Sequence, residues 1–219
     1  MYLEQTLYKL DNSITSIVNL SDILNTTSET DKIKFISSWL NEDALSLNFW
    51  MKNTLALSEI ESHNMIIEIS KIDFLNILFQ IKDELKYQIN SKKIDLKFVV
   101  DCHDDIYLDK DKVYLILLNL ISNAIEFSPL ASEVIIEVLQ YNEIIKIFVK
   151  DFGEGIDIPE ESVYECFEKS NNSINRDYKG LGIGLYIVKK LVDFLGAKIE
   201  FQSTLLESTV FEVTLTTHF

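Results

Sequence analysis

The stretches Asp151-Phe-Gly-Glu-Gly155 and Gly180-Leu-Gly-Ile-Gly184 hold five of the six glycines of this 219-residue chain, and no glycine precedes Gly153. Glycine is needed where the backbone takes a positive φ or must approach another group closely. Two tight glycine clusters therefore predict a pocket that is lined by backbone. The second cluster directly precedes a helical pattern from Leu185 to Leu195, and the free N–H groups of a helix N-terminus favour phosphate oxygens.

Two asparagines lie four residues apart upstream, in the run Asn119-Leu-Ile-Ser-Asn-Ala-Ile-Glu-Phe127. In a helix this spacing places Asn119 and Asn123 on one face, one turn apart. Their apolar neighbours argue against an ordinary solvent-facing surface. A carboxamide oxygen is one of the oxygen ligands that Mg²⁺ accepts, while the amide NH₂ can reach a phosphate. The run therefore predicts a helix that presents two carboxamides to a ligand.

In their order and spacing, these three segments resemble the N, G1 and G2 boxes of the ATP-binding domain of sensor histidine kinases and of the wider gyrase/Hsp90/MutL superfamily. The resemblance implies that the chain binds ATP or ADP with Mg²⁺. It implies that Asn123 is the metal ligand, that Asn119 is a polar helper at the reaction centre, and that Asp151 accepts a hydrogen bond from the adenine amino group. It assigns further nucleotide contacts to Gly153, Gly155, Gly180, Gly182, Gly184 and Leu185.

The polar stretch between the glycine clusters, residues 168–179, matches the mobile ATP lid of that family. It contains Arg176, the only arginine of the chain, which is suited to reach a γ-phosphate. Two positions depart from the family pattern. Glu126 stands where the family usually has a lysine or arginine, and Leu205-Leu-Glu-Ser-Thr209 replaces its last glycine-rich segment. Both departures predict weakened phosphate contacts.

The first 60 residues predict a pair of amphipathic helices joined by the polar turn Asn25–Thr30. Apolar residues recur from Leu3 to Leu24 in the 4-3 alternation of a helix that seeks a partner, and a second helical pattern runs from Ile33 to Leu55. An antiparallel hairpin of this kind buries its apolar faces by dimerising into a four-helix bundle. Packing of the hairpin on its own downstream domain is the alternative. The predicted domains are a dimerisation hairpin over 1–62 and a catalytic, ATP-binding domain over 68–219.

The rest of the chain predicts an α/β sandwich with a mixed sheet and helices on one face, which makes the whole chain α+β. The predicted helices are Phe74–Ile89, Asp109–Phe127 and Leu185–Leu195, and the predicted strands are Ile94–Val100, Val134–Leu139, Ile144–Val149, Ala197–Gln202 and Thr209–Leu215. Gly196 is expected to end the last helix.

The first helix also resembles the phosphoacceptor helix of the histidine kinases. Its segment Tyr8-Lys-Leu-Asp-Asn-Ser-Ile-Thr-Ser-Ile17 aligns with the family's His-Glu-Leu-Arg-Thr-Pro-Leu-Thr-Ser-Ile, so that Tyr8 takes the position of the histidine. Lys9 replaces the acidic neighbour, and Asn12 coincides with the Thr or Asn that the family uses to dephosphorylate receivers. A phenol, with a pKa of ~10, needs a base before it attacks phosphorus, whereas a neutral imidazole does not. Tyr8 is either an altered acceptor or a plain exposed aromatic.

Three functions follow from these observations. The first is a homodimeric, histidine-kinase-like protein that binds ATP, cannot phosphorylate itself on histidine, and acts by conformation on a response regulator or another kinase. The second is an active phosphotransferase, with Tyr8 or a partner's histidine as the acceptor. The third is a mechanochemical ATPase dimer, as elsewhere in the superfamily, and the helical hairpin counts against it.

Composition excludes several other classes of protein. A formal net charge of −15 argues against nucleic acid as a partner, because phosphate contacts need clustered Lys and Arg. The longest apolar runs fall short of the ~20 residues of a membrane span, and there is no N-terminal signal pattern, so a cytoplasmic location is expected. Cys102 and Cys166 lack metal-ligand spacing and are expected to be reduced thiols.

Overall fold

The structure, a computed structural model, describes residues 2–27, 29–165 and 183–217, and of residues 2–10, 160 and 161 it describes the backbone alone. The chain divides into two compact units, Met1–Glu59 and Ile60–Phe219. The division into a dimerisation domain over 1–62 and a catalytic domain over 68–219 remains a prediction. Within the described ranges, every helix is too short or too polar to cross a membrane.

The first unit is a pair of helices, α1 (Tyr2–Thr26) and α2 (Thr30–Glu61). The helices contact each other near their middles, where the Ser16 hydroxyl donates to the Asp43 carboxylate. Helix α1 continues past Asn25, so the predicted turn is shorter than the sequence suggested. Within the single chain, both helices expose large apolar side chains, namely Ile14, Val18, Ile23, Phe35, Trp39, Met51 and Leu55.

The second unit is an α/β domain with a mixed five-stranded sheet, as the sequence predicts. Its elements are β1 (Ile69–Ile72), α3 (Phe74–Glu84), α4 (Lys86–Lys92), β2 (Asp95–Asp101), β3 (Ile106–Asp109), α5 (Lys110–Phe127), β4 (Glu133–Tyr141), β5 (Ile144–Asp151), α6 (Glu160–Val163), α7 (Gly184–Phe194), β6 (Lys198–Thr204) and β7 (Ser208–Thr216). The strand order is β2-β4-β5-β7-β6, with β2 and β4 parallel and the other pairs antiparallel.

The core lies between this sheet and the helices on one of its faces. Along β4, β5 and β7 alternate side chains are buried, which is the pattern of a sheet that is covered on one side. Helix α5 lies at the centre and supplies several of the fully buried side chains, with α7 and α3 packed beside it. The most deeply buried helix is therefore the one that carries both asparagines.

The prediction of a single helix over Phe74–Ile89 is wrong. Leu85 leaves the helical conformation, with φ −93° and ψ 8°, and separates α3 from α4. Its side chain is buried, so packing into the core outweighs the uninterrupted helical pattern. The short strands β1 and β3, which pair antiparallel in a separate two-stranded sheet, and the one-turn helix α6 were not predicted. Four residues give too short a pattern to distinguish strand from loop.

Candidate functional site

Helix α5 positions both asparagines. It begins after Asp109, a buried carboxylate that accepts a hydrogen bond from the backbone N–H of Lys112 at 3.0 Å and from that of Glu68 at 2.9 Å. Asn119 is buried, and its Nδ2 donates to the carbonyl of Leu115 at 2.9 Å. Asn123, one turn further on, is half-buried. Of the two carboxamides, that of Asn123 is therefore the more accessible to a ligand.

Gly184 allows α7 to pack closely against Asn119. A Cβ atom at Gly184 would lie 2.8 Å from Asn119 Oδ1, which is closer than real Cβ contacts allow. Helix α7 begins at Gly184, and the preceding residue, Ile183, gives its first turn no side-chain cap. The N-terminus of a helix favours phosphate oxygens through its N–H groups and the positive end of the helix dipole, so α7 suits this role.

Lys92, at the end of α4, caps the C-terminus of α5. Its ammonium donates to the carbonyl oxygens of Ile125 at 3.1 Å, of Ser128 at 2.9 Å, and of Glu126. Burial lowers the pKa of Lys92, and the nearby carboxylates of Glu126 and Glu154 partly oppose that shift. The ammonium of Lys92 therefore stabilises the negative end of the α5 dipole. This cation comes from α4, since position 126, where the family usually has a lysine or arginine, is a glutamate.

We expect Lys92→Met to lower the free energy of unfolding by about 2–4 kcal/mol, since carbonyls at the helix end lose charged hydrogen bonds. Urea denaturation followed by circular dichroism measures the change. Lys93→Met is the matched control, because the neighbouring Lys93 is not seen to bond these carbonyls. A loss equal to that of the control would mean that the cap contributes nothing.

Asp151 lies at the end of β5 and is 5% exposed. Its Oδ1 accepts a hydrogen bond from the N–H of Gly153 at 2.9 Å. Burial raises the pKa of Asp151 from 3.8 to about 6, although the bond from Gly153 opposes the shift. Gly153 in turn packs against the end of α5, where a Cβ atom would lie 2.4 Å from the carbonyl oxygen of Phe127. The carboxylate is therefore held at a fixed place beside the asparagine helix.

The hairpin between β6 and β7 holds the other side of this loop. Gly155 has φ +81°, and a Cβ atom there would lie 2.9 Å from Leu205 Cα. The N–H of Leu206 donates to the carbonyl of Glu154 at 3.0 Å. Leu206 itself has φ 59°, a conformation that favours glycine. The segment that replaces the expected glycine-rich stretch thus forms the hairpin tip and clamps the Asp151–Gly155 loop.

Thr209 is a site residue that the sequence analysis missed. It pairs in register with Asp151 on the neighbouring strand, so both side chains lie on the same face of the sheet. Thr209 is 4% exposed, at a buried position that apolar residues otherwise occupy along β7. A single polar residue on the buried stripe of a strand was the signal that could have revealed it.

The structure brings several of the predicted residues together and leaves others undescribed. Asn119 and Gly184 approach each other, and Gly153 lies against the end of the asparagine helix. Leu185 lies half-buried in the first turn of α7. Arg176, Gly180 and Gly182 lie outside the described residues, as do Cys166 and the whole of the predicted lid, residues 168–179.

The predicted acceptor region lies on α1, in the first unit. Tyr8 belongs to this helix by its backbone, and its side chain lies outside the description. Asn12, one turn further along, is exposed. The helical conformation of the acceptor segment is thus established, while the roles of these two residues remain predictions.

Comparison with known proteins identifies the second unit. Residues 108–218 match the family of histidine kinase-, DNA gyrase B-, and HSP90-like ATPases. The chain belongs to this family, and the matching domain binds ATP. Its helix pair followed by an ATP-binding domain is the architecture of a sensor histidine kinase core.

Individual relatives extend the likeness to nearly the whole chain. The autoinducer 2 sensor kinase/phosphatase LuxQ of Vibrio harveyi is 25% identical over 98% of this chain, which spans 26% of LuxQ. The Acinetobacter baumannii histidine kinase AdeS has a TM-score of 0.63 at 16% identity, over 99% of this chain and 98% of that one. Histidine kinase ThkA, solved in complex with the response regulator TrrA, has a TM-score of 0.59 at 19% identity, over 99% of this chain and 61% of that one.

Proposed function

We propose that this chain is the core of a two-component histidine kinase that binds ATP but does not phosphorylate itself on histidine. The proposal rests on Tyr8, which aligns with the family's acceptor histidine, in a chain that keeps a buried Asp151, close glycine contacts and the asparagine helix. Losing the nucleophile removes the covalent path. Nucleotide binding can still shift a conformational equilibrium, in proportion to its differential affinity for the two states.

In this proposal the residues around Asp151 hold the base, and α5 and α7 hold the phosphates. The ionised carboxylate of Asp151 accepts from the adenine amino group, and the first N–H groups of α7 bind phosphate oxygens. Arg176, Gly180 and Gly182, which lie outside the described residues, are proposed as further phosphate contacts because they match the family's lid and second glycine segment. The position of each group relative to bound nucleotide is part of the proposal.

Asn123 is proposed to hold Mg²⁺, with Asn119 beside it as a polar helper. Within the described ranges, there is no group of three or more His, Cys, Asp and Glu side chains that suits a metal. The half-buried carboxamide of Asn123 fits an ion that takes one carboxamide oxygen and is otherwise held by waters and phosphates, as Mg²⁺ commonly is. When bound, Mg²⁺ neutralises phosphate charge.

The partner in this proposal is a response regulator or another kinase, bound through the helices of the first unit. ThkA, a protein of the same fold, was solved in complex with the response regulator TrrA, which supports a response regulator as the partner. Asn12, exposed on α1, is proposed as the residue that assists dephosphorylation of a bound receiver. Because the cytoplasmic segment of histidine kinase QseC is also a structural relative, we place this chain in the cytoplasm as well.

An active phosphotransferase is the second candidate, and the match to ATP-binding kinases favours it. In that case Tyr8, or a histidine of a partner, receives the γ-phosphoryl group. The experiment that separates the two candidates is incubation with radiolabelled ATP, combined with calorimetric titration of Mg-ATP. Nucleotide binding without covalent labelling supports the first candidate, and labelling supports the second.

We expect the chain to form a homodimer through the two helices, because their exposed apolar side chains need burial. Light scattering at micromolar concentration should give about twice the chain mass of 25.3 kDa. Ile14 lies on the repeating apolar face of α1 and is 50% exposed, so Ile14→Glu should dissociate the dimer. Thr15→Glu introduces the same charge at the neighbouring exposed position, which lies off that apolar face, and should leave the dimer intact. A monomeric parent chain would contradict the four-helix bundle.

A further inference from the structure

A chain of three polar groups joins the end of the Asp151–Gly155 loop to the hairpin between β6 and β7. The N–H of Ile156, just after the Asp151–Gly155 loop, donates to the Ser203 hydroxyl oxygen at 2.9 Å. Ser203 lies on β6, and its Oγ is 2.9 Å from Thr209 Oγ1 on β7. Thr209 is the strand neighbour of Asp151. Ser203 therefore contacts both the loop that carries the carboxylate and the hydroxyl that lies beside it.

The hydrogen bond from Ile156 favours one direction for the hydrogen bond between Ser203 and Thr209. A hydroxyl has one hydrogen to donate and two lone pairs. Because Ser203 Oγ already accepts from Ile156, its own O–H becomes a better donor, and Thr209 Oγ1 is an acceptor within reach. When Ser203 donates to Thr209, the hydroxyl hydrogen of Thr209 is free to point toward β5, where Asp151 lies. Thr209 can then donate to an acceptor on the adenine ring while Asp151 accepts from its amino group.

We propose that Ser203 is a positioning residue for adenine recognition, one that sets the preference of the site for a 6-amino purine. The inference rests on the proposed function, in which Asp151 binds the base. Ser203 acts through two other groups, the backbone at Ile156 and the hydroxyl of Thr209. Its removal therefore disturbs the base contacts and leaves the phosphate contacts of α5 and α7 in place.

Calorimetric titration of the full chain with Mg-ATP and with Mg-ITP tests the proposal. ITP keeps the ribose and triphosphate but carries a 6-oxo group where ATP has the amino donor. The unmodified chain should prefer ATP. Ser203→Ala should weaken ATP binding about five- to tenfold, the effect of one lost hydrogen bond, and leave ITP binding within about twofold. The ratio of the two affinities should fall accordingly.

Four further variants separate positioning from general damage. Ser203→Thr keeps the hydroxyl and should restore most of the preference for ATP. Ser208→Ala makes the same change in the same hairpin and should leave the preference unaltered. Thr209→Ala should reduce the preference by itself, and adding Ser203→Ala to it should have little additional effect, because the two residues form one chain.

The outcomes distinguish this inference from the proposed function on which it rests. If the unmodified chain binds ATP with a clear preference over ITP and Ser203→Ala keeps that preference, the positioning role is wrong and the proposed function stands. If Ser203→Ala weakens ATP and ITP equally, its role is structural and the inference is again overturned. If the unmodified chain binds neither nucleotide, or binds both equally, the base-recognition role of Asp151 fails and this inference fails with it.

Discussion

Asp151→Asn is expected to abolish most ATP binding and at the same time to make the protein more stable. Oδ1 of Asp151 accepts from the Gly153 N–H, so an asparagine keeps its oxygen there and turns its NH₂ toward the ligand. Two donors, the asparagine NH₂ and the adenine amino group, would then face each other. Losing a charged hydrogen bond and leaving a buried donor unsatisfied should weaken binding by about 100-fold or more.

The gain in stability follows from the pKa of Asp151, which burial raises from 3.8 to about 6. The ionised carboxylate is therefore disfavoured in the folded chain. This cost is absent below the unfolded value of 3.8, grows as the pH rises through the interval, and is fully present above about 6. A shift of about two units corresponds to about 3 kcal/mol at most. Asp151→Asn should raise the free energy of unfolding at pH 7.5 and lose that advantage by pH 4.

Calorimetry and urea denaturation, each run across this pH range, measure the two effects. For the unmodified chain, ATP affinity should fall as the pH drops below about 6, because a protonated Asp151 becomes a donor. Asp157→Asn is the matched control, since Asp157 is exposed in the segment that follows and its replacement should change neither quantity. Asn123→Ala should weaken Mg-dependent binding. Tight ATP binding by Asp151→Asn would remove this carboxylate from base recognition.

The second large effect concerns phosphorylation at position 8. We expect no covalent labelling of the unmodified chain by γ-labelled ATP, because a phenol with a pKa of ~10 needs a base and Lys9, at the position of the family's acidic neighbour, cannot accept a proton. Tyr8→His alone should give little labelling. Tyr8→His combined with Lys9→Glu should give clearly more, since the acidic neighbour orients and assists the imidazole.

Acid and base treatment identifies the bond that forms. Phosphate on histidine is lost in acid, whereas phosphate on tyrosine survives acid and should disappear in Tyr8→Phe. Adding Asn123→Ala to the double variant is the control for dependence on the nucleotide site. Robust labelling of the unmodified chain on any residue would overturn the proposed loss of autophosphorylation and favour the active phosphotransferase.

The main features of the fold were predictable because they rest on long patterns. The helix pair and the asparagine helix have many residues with one periodicity, and the strands β4, β5 and β7 alternate or run apolar over six or more residues. The break at Leu85 was not predictable, because the residue fits the helical pattern and leaves it only to fill the core. The strands β1 and β3 are too short for any pattern to be decisive.

Within the candidate site, the sequence predicts which residues could bind a ligand, but it does not predict the contacts that those residues make with the rest of the protein. Asp151 is conspicuous beside two glycines, but its raised pKa depends on burial, which only the folded sheet produces. Lys92 and Ser203 bond residues that are distant in sequence. Lys92 bonds the carbonyls at the end of α5, and Ser203 bonds Ile156, just after the Asp151–Gly155 loop. No local pattern marks such residues, because their partners are brought near only by the pairing of strands and the packing of helices.

The close contacts of Gly153 and Gly184 limit which substitutions the chain can accept during evolution. Each glycine excludes a side chain against α5, one at the carbonyl of Phe127 and one at Asn119. Selection for folding alone would therefore act on both glycines in a descendant that had ceased to transfer phosphate, and most strongly on Gly153, whose neighbour is a backbone oxygen. If relatives keep these glycines, the reason would then be packing and not activity. A loss of phosphotransfer would show first in the sequence of the acceptor helix.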